Sequence, residues 1–501
     1  MGAAVATYRT GSAAPGVLIY KGRVEGKHSF DTTRVRIAPH VIELGDRAFY
    51  DCPNLVEVQL NEGLRVIGKG AFENCNELRR VTMNEGLQLI GKYAFVYCSE
   101  LRRVTIPSTV TKLSAGAFNS CFKLAEVELN EGLRTIEICA FRSCSALRSV
   151  NIPSTVTRLN RDTFDSCSSL VDVLLNEGLQ FIGEGVFRDC IALQRISIPS
   201  TVTELGICAF IGCRNLEKVQ INEGLQFIAG GAFQRCKALK SITVPSTVTY
   251  LGDGAFEGCK NLVKVKLNEG LKTIGECSFE DCTALRSVTI PSTVTKIGRG
   301  AFTGCTNVTE LVLMGGKRLL DEEFFSRSIL NEDLGLLNIE ILDVLSDFED
   351  ESAISGCPLT TVKISVSWAL SERMARLSPM HRLSLGERIC DLPDVELMKD
   401  GEILACFPVE LEEDDDDEIV ELDFAAVDAT RSLYKILQWI AFHELKESSI
   451  LIELAVWKSR IDGTACLPRE DCRAPIPDTA KSSIMDYCGF TGFLEPSIEG
   501  A

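Results

Sequence analysis

Histidine is scarce in this chain, four in 501 residues, so acid–base or triad chemistry built on imidazole has few candidates. Tryptophan is scarcer still, at three. No apolar run approaches the ~18 residues that a membrane-spanning helix needs. No G-x-x-x-x-G-K-[ST] loop occurs, so the phosphate cradle of the nucleotide-binding folds is missing. A basic excess is also missing: the net charge is −18, which argues against nucleic acid as the main ligand. Met1 to Gly16 shows no basic flank followed by an apolar core, and Ala6 stands where a myristoylation signal takes Ser or Thr. These absences together predict a cytoplasmic chain with no membrane insertion.

What the chain has in abundance is repetition. Phe recurs from Phe49 through Phe72 and Phe95 to Phe302, twelve times at an unbroken spacing of 23. Cys follows three residues later each time, from Cys52 to Cys305, and Leu three beyond that, from Leu55 to Leu285, with Val308 in the last unit. Three ladders in phase identify a stacked solenoid. A stack also explains a mean hydropathy just above zero, because every coil must fill a continuous interior.

One unit shows the physics. Leu101, Val104 and Ile106 form an L-x-x-V-x-I strand with one buried face. Pro107 ends the strand, Leu113 re-enters the interior, Ala117-Phe118 places an aromatic inside, and Cys121 and Leu124 close the coil. Twelve such coils, stacked about 4.8 Å apart, would run roughly 60 Å along the axis. A second period of 46 residues lies on the first: Asn-Glu-Gly-Leu (61–64, 130–133, 176–179, 222–225, 268–271) alternates with Pro-Ser-Thr-Val (107–110, 153–156, 199–202, 245–248, 291–294). Asn84-Glu85-Gly86-Leu87 breaks the alternation once.

The pattern L-x-x-V-x-I-P-S-T-V-T-x-(I/L)-G-x-x-A-F-x-x-C resembles the BspA-like, or Treponema pallidum-type, leucine-rich repeat over about residues 35–313. Within that family it is most similar to the large algal, diatom-type set. The resemblance implies a leucine-rich-repeat superhelix with a parallel β-sheet on one face, and a protein-interaction module without catalysis or cofactor.

Charge and pattern divide the chain. Residues 35–313 carry 30 basic and 29 acidic groups, whereas residues 314–501 carry 17 and 39. Residues 1–15 are expected to be disordered, 16–48 to form an N-terminal cap, 49–313 the regular array and 314–365 two irregular coils, with Phe325 keeping the period once more. Residues 366–409 read as a helix from Ser367 to Leu377 and a hairpin around Asp400-Gly401. Residues 410–422 read as an acidic linker, eight of the nine residues 410–418 being acidic. Residues 423–501 read as a helical hairpin and tail, whose apolar stripe (Leu433, Ile436, Leu437, Ile440, then Leu451, Leu454, Trp457) either caps the array or docks a partner.

The 21 cysteines invite three readings: metal ligands, disulfides or buried thiols. One Cys per 23 residues does not match the paired, closely spaced ligands of structural zinc. Disulfides are disfavoured by the odd count and the missing secretion signal. Buried, reduced thiols acting as small hydrophobes remain the simplest reading. Cys139, Cys208 and Cys277, spaced 69 apart, fit array duplication. Cys466, Cys472 and Cys488 with His443 match no standard finger.

The expected ligand surface is the outward face of the strands. It carries Arg80, Arg103, Glu126, Glu128, Asp172, Arg195, Lys218, Lys264 and Lys266. Arg80 and Arg103 beside Glu126 and Glu128 predict a dipolar patch, and Lys264 with Lys266 a small basic one. This face lacks the aromatic residues that dominate many interfaces. The leading expectation is a monomeric scaffold that binds a protein partner. A structural or adhesive spacer and an enzyme confined to 366–501 are the alternatives.

Overall fold

The computed structural model describes residues 17–22, 32–315, 353–354, 356–411, 422–424, 431–444 and 446. The chain forms two compact units, Met1–Val308 with Leu345–Pro358, and Thr309–Val344 with Leu359–Ala501.

The first unit is a solenoid whose coils each make two strands. The longer strands, such as Arg103–Ile106 and Glu126–Leu129, pair in parallel with a register shift of 23 residues: Arg103 faces Glu126 and Val104 faces Val127. The second strands are two residues long. They form one twelve-stranded parallel sheet from Glu43–Leu44 to Lys296–Ile297. In the long strands, which fall into successive sheets, and in the short ones alike, alternate residues point inward, so Val104, Ile106 and Leu113 are fully buried while Arg103 and Thr105 face solvent. A twelve-coil β-solenoid of 23-residue turns is what the Phe ladder predicts.

The interior is a set of columns. Adjacent Phe rings from Phe49 to Phe302 lie 5.1–5.6 Å apart and within 14° of parallel. Beside them, each cysteine of the 23-residue ladder from Cys75 to Cys305 donates its S–H to the carbonyl of the Phe one coil earlier, at 3.1–3.3 Å. From Phe72 onward that carbonyl also accepts the backbone N–H of the Cys in its own coil, as Phe72 O does from Cys75 N at 3.3 Å, so the thiol satisfies its second lone pair. The thiol fills space as a hydrophobe and also closes this bond. Burial pushes the thiols of Cys121, Cys144 and Cys167 well above their usual pKa, which keeps the proton in place to be donated.

The 46-residue period has a structural cause. Where a Pro-Ser-Thr coil follows an Asn-Glu-Gly coil, three bonds latch them. The Glu carboxylate accepts from the Ser hydroxyl (Glu85–Ser108, Glu131–Ser154, Glu177–Ser200, Glu223–Ser246 and Glu269–Ser292, 2.8–3.1 Å). The Gly N–H donates to the Thr hydroxyl, as Gly132 does to Thr155 at 3.2 Å, and that hydroxyl donates onward to Leu133 O at 2.6 Å. At the other kind of junction the Asn amide takes over: Asn130 Nδ2 donates to Ile106 O at 2.8 Å. The two junctions use different groups, and where one Asn-Glu-Gly coil follows another, Asn84 Nδ2 makes the Asn bond again, to Leu60 O at 3.1 Å. Gly224 shows why glycine is kept: its φ is +123° and a Cβ there would lie 2.1 Å from Ser200 O. Thr155→Val keeps the shape and removes both hydroxyl bonds. It should lower unfolding stability by about 1–2 kcal/mol, read as a shift in the urea midpoint; an unchanged midpoint would show that the latch contributes nothing.

The strand pairing reaches into the N-terminal segment. Arg34–Ile37 pairs with Glu57–Gln59, and Glu43–Leu44 with Val66–Ile67, so the strand pairing of the array begins inside the expected cap, 16–48. Val17–Tyr20 adds the strand before it, pairing Val17 with Arg34. Residues 1–15 lie outside the described residues, as do Phe325 and most of 314–352. Cys357 keeps the ladder by donating to Phe302 O at 3.1 Å.

In the second unit, Glu310–Leu313 pairs in parallel with Thr361–Ser365, which continues into an antiparallel hairpin of Ile403–Leu411 and Val395–Leu397. Helix α1, Ser367–Arg376, matches the expected span. Helix α2, Pro379–Cys390, is an addition: Pro379 fits its first turn, and the Ser378 hydroxyl accepts from His381 N at 3.4 Å. The acidic linker is also revised. Glu410 and Leu411 lie in a strand whose partner is Leu422–Phe424, Glu410 facing Asp423, so the run 412–421 connects two antiparallel strands. Residues 431–444 are helical, with Leu433, Ile436, Leu437 and Ile440 buried. That stripe is therefore covered, and Glu444 bonds Arg373 of α1 at 2.8 Å. Leu451, Leu454 and Trp457 lie outside the described residues.

Candidate interaction surface

Because alternate side chains of each long strand enter the interior, the others are presented outward in register, one rung per coil. Arg80, Arg103, Glu126, Glu128, Asp172, Arg195, Lys218, Lys264 and Lys266 are all exposed on this face. The predicted neighbours Arg103, Glu126 and Glu128 come together as ion pairs: Arg103 Nη1 lies 3.3 Å from Glu126 and Nη2 3.8 Å from Glu128. Glu128 also accepts from Thr105 at 3.0 Å. Arg80 lies apart from them and faces Glu57 at 3.7 Å. Lys264 and Lys266 make no ion pair among the described residues. Pairs this exposed contribute little to stability, about 0–1 kcal/mol each.

Two depressions open on the face. The larger, of about 740 Å³, is lined by Arg34, Glu57, Arg79, Arg80, Arg102 and Arg103 together with Val81, Met83 and Thr105. The smaller, of about 390 Å³, is lined by Asp172, Leu174, Arg195, Lys218 and Gln220 among others. Arg79 and Arg102 were missed by taking only the alternating strand positions. They sit one residue before the strand, where the chain has already turned outward. Their signal is the repeated Arg-Arg pair in Leu78-Arg79-Arg80 and Leu101-Arg102-Arg103.

A second omission is aromatic. The outward positions of the short strands carry Phe181, Phe227 and Tyr250, the last two exposed and in register. Arg158 of the preceding rung stacks its guanidinium over Phe181, 4.5 Å from the ring centre. The lack of aromatics therefore applies to the long-strand face alone. A two-residue strand has too little alternation to reveal which residue points outward.

No group of His, Cys, Asp and Glu capable of holding a metal occurs among the described residues. Cys466, Cys472 and Cys488 lie outside them. His443 stacks against His381, ring centres 4.3 Å apart. Among the described residues no helix is long and apolar enough to cross a membrane.

The BspA type leucine rich repeat region matches the chain in six copies, over residues 27–148, 115–240 and 227–333. A comparison with curated proteins gives no match. Among solved structures, a leucine-rich repeat protein from Bacteroides ovatus is 27% identical with a TM-score of 0.49, over 56% of this chain and 79% of that one. The T. pallidum leucine-rich repeat protein is 27% identical with a TM-score of 0.29, over 48% and 92%. A leucine-rich repeat protein from Eubacterium ventriosum is 23% identical with a TM-score of 0.41, over 58% and 90%. With the Phe and Cys ladders in phase across the same residues as the family matches, the chain belongs to the BspA type leucine-rich repeat family.

Proposed function

We propose that the chain is a non-catalytic scaffold that binds a protein partner through the outward face of its long strands. The observation that supports this is the contrast between inside and outside. The coil interior is filled by Phe, Leu, Ile and Cys columns whose side chains are fully buried, which leaves that interior no room for a substrate. Outside, charged and polar side chains stand in register on a rigid sheet, with two shallow depressions between them. Rigid presentation lowers the entropy cost of binding. Membership of a leucine-rich-repeat family supports the same reading, since such repeats are generally scaffolds.

The test is quantitative capture of partners by full-length chains. One variant carries Arg80→Glu and Arg103→Glu, a second Lys264→Glu and Lys266→Glu, and a control carries Glu177→Lys on the latch ridge away from the strand face. A partner lost by either face variant and kept by the control is the expected result. A partner retained equally by all three would assign capture to another surface. Absence of any specific partner would favour a spacer whose length is its function.

A further inference from the structure

The cations of the strand face are not of one kind along the array. The first rungs gather five arginines (Arg34, Arg79, Arg80, Arg102, Arg103), whereas later rungs carry lysines (Lys218, Lys240, Lys264, Lys266) with Arg195 and Arg286 among them. Arginine presents a planar fork that grips a carboxylate with two parallel bonds, whereas lysine acts as a hydrated point charge. The five arginines line one depression and share it with a single carboxylate, Glu57, which lies 3.6 Å from Arg34 and 3.7 Å from Arg80. Arg79 pairs outside the depression with Glu77 at 3.1 Å, and Arg102 has no ion pair among the described residues. Positive charge therefore exceeds negative charge within this concavity.

We propose that the arginine-lined depression is the docking site for a short, extended, acidic peptide segment of a protein partner. Its length follows from the coils. Arg34 and Arg103 are three rungs apart, about 14 Å at the usual strand spacing, which four to five extended residues would cover. Glu126 and Glu128 close the site at the next rung, where an occupant gains nothing from further acid. A nucleic-acid strand would meet the same two carboxylates, and its phosphates would run on past the site over a chain whose net charge is −18.

This inference rests on the scaffold reading and names the chemistry of its partner. Fluorescence polarisation of labelled hexaglutamate against the full-length chain at low salt tests it, with hexaglutamine and a six-residue oligothymidylate as comparisons. Arg79→Gln with Arg102→Gln should weaken hexaglutamate binding about tenfold, the loss expected from two exposed charge-assisted pairs. Lys264→Gln with Lys266→Gln should change it less than about twofold, and hexaglutamine should not bind. Equal weakening by both double variants would reduce the effect to overall charge and overturn the site. Tighter binding of oligothymidylate through the same arginines would overturn the peptide assignment in favour of nucleic acid. No saturable hexaglutamate binding at millimolar concentration would overturn the acidic class, while a partner lost by the face variants above would leave the scaffold reading standing.

Discussion

Phe187→Ala is expected to destabilise the array by about 3–5 kcal/mol, the cost of emptying an aromatic site in a packed interior. Phe187 is fully buried, and its ring lies 5.6 Å from Phe164 and 5.2 Å from Phe210. The substitution takes from Phe164 and from Phe210 one of their two stacking neighbours. The coils above and below are also held by their own backbone bonds, such as Phe187 N to Ala209 O at 2.8 Å, so they cannot collapse into the gap. A solenoid's stability is a sum of coil and nearest-neighbour terms. A central defect should therefore do more than lower the midpoint of urea unfolding: it should divide one cooperative transition into two. Thr243→Ala, on the exposed face, is the control and should stay within about 0.5 kcal/mol. If Phe187→Ala moves the transition no more than Thr243→Ala, the Phe column does not hold the coils together.

Arg188→Ala should be the second most damaging change, at about 2–3 kcal/mol. Six coils have Gly at the turn residue before the Ala-Phe step, but here that residue is Asp162, and Asp165 follows three later. Both carboxylates are almost completely buried. Arg188 bonds Asp162 at 2.6 Å and lies 4.0 Å from Asp165, while Arg142 holds Asp165 at 2.9 Å and Arg161 holds Asp162 at 3.3 Å. Removing one partner of a fully buried pair costs about 3–5 kcal/mol. The lower figure applies because Arg188 is a third exposed and each carboxylate keeps a second arginine.

The pH dependence of this variant has a definite sign. Burial raises the pKa of Asp165 above its ordinary value, against the pull of Ser166, Arg188 and Arg142. A carboxyl raised in the folded state binds its proton more tightly there than in the unfolded chain. Its contribution to stability is therefore present at low pH and is lost as pH rises through the raised value. Without Arg188 the rise should be larger, so the gap between variant and parent should be wider at pH 8 than at pH 5. Glu131 has the opposite sign. Hydrogen bonds from Ser154 N–H and then its hydroxyl lower the pKa of Glu131, so its contribution is present above the ordinary carboxylate range and is lost as pH falls through the lowered value. A gap at pH 5 equal to or greater than that at pH 8 would rule out the buried-charge account of Arg188.

The two kinds of carboxylate show how far reading the chain alone could go. Asp162 and Asp165 look like ordinary polar variation in a repeat; only the stacking of coils places them inside, opposite arginines 20 or more residues away. The strand face was legible because alternation over four residues separates inward from outward positions, as at Arg103 to Ile106. The aromatic row on the short strands was not, and neither was the pairing of residue 410 with residue 423 across the acidic run, since antiparallel register depends on a partner strand.

The sequence by itself determined the coil length, the Phe, Cys and Leu columns and the paired-coil period, because each is a periodic pattern that a stacked interior must satisfy locally. Tertiary structure alone decided why that period is 46: Glu, Gly, Ser and Thr from successive coils meet only when those coils stack in register. It decided equally which charges cancel and which remain. Arg103 loses its freedom to Glu126 and Glu128, while Arg102, beside it in the chain, faces a depression with no such partner. Coulomb interactions depend on distance in space, and in a solenoid a charge 23 residues away in sequence, as Glu126 is from Arg103, lies only one rung, about 4.8 Å, away along the axis.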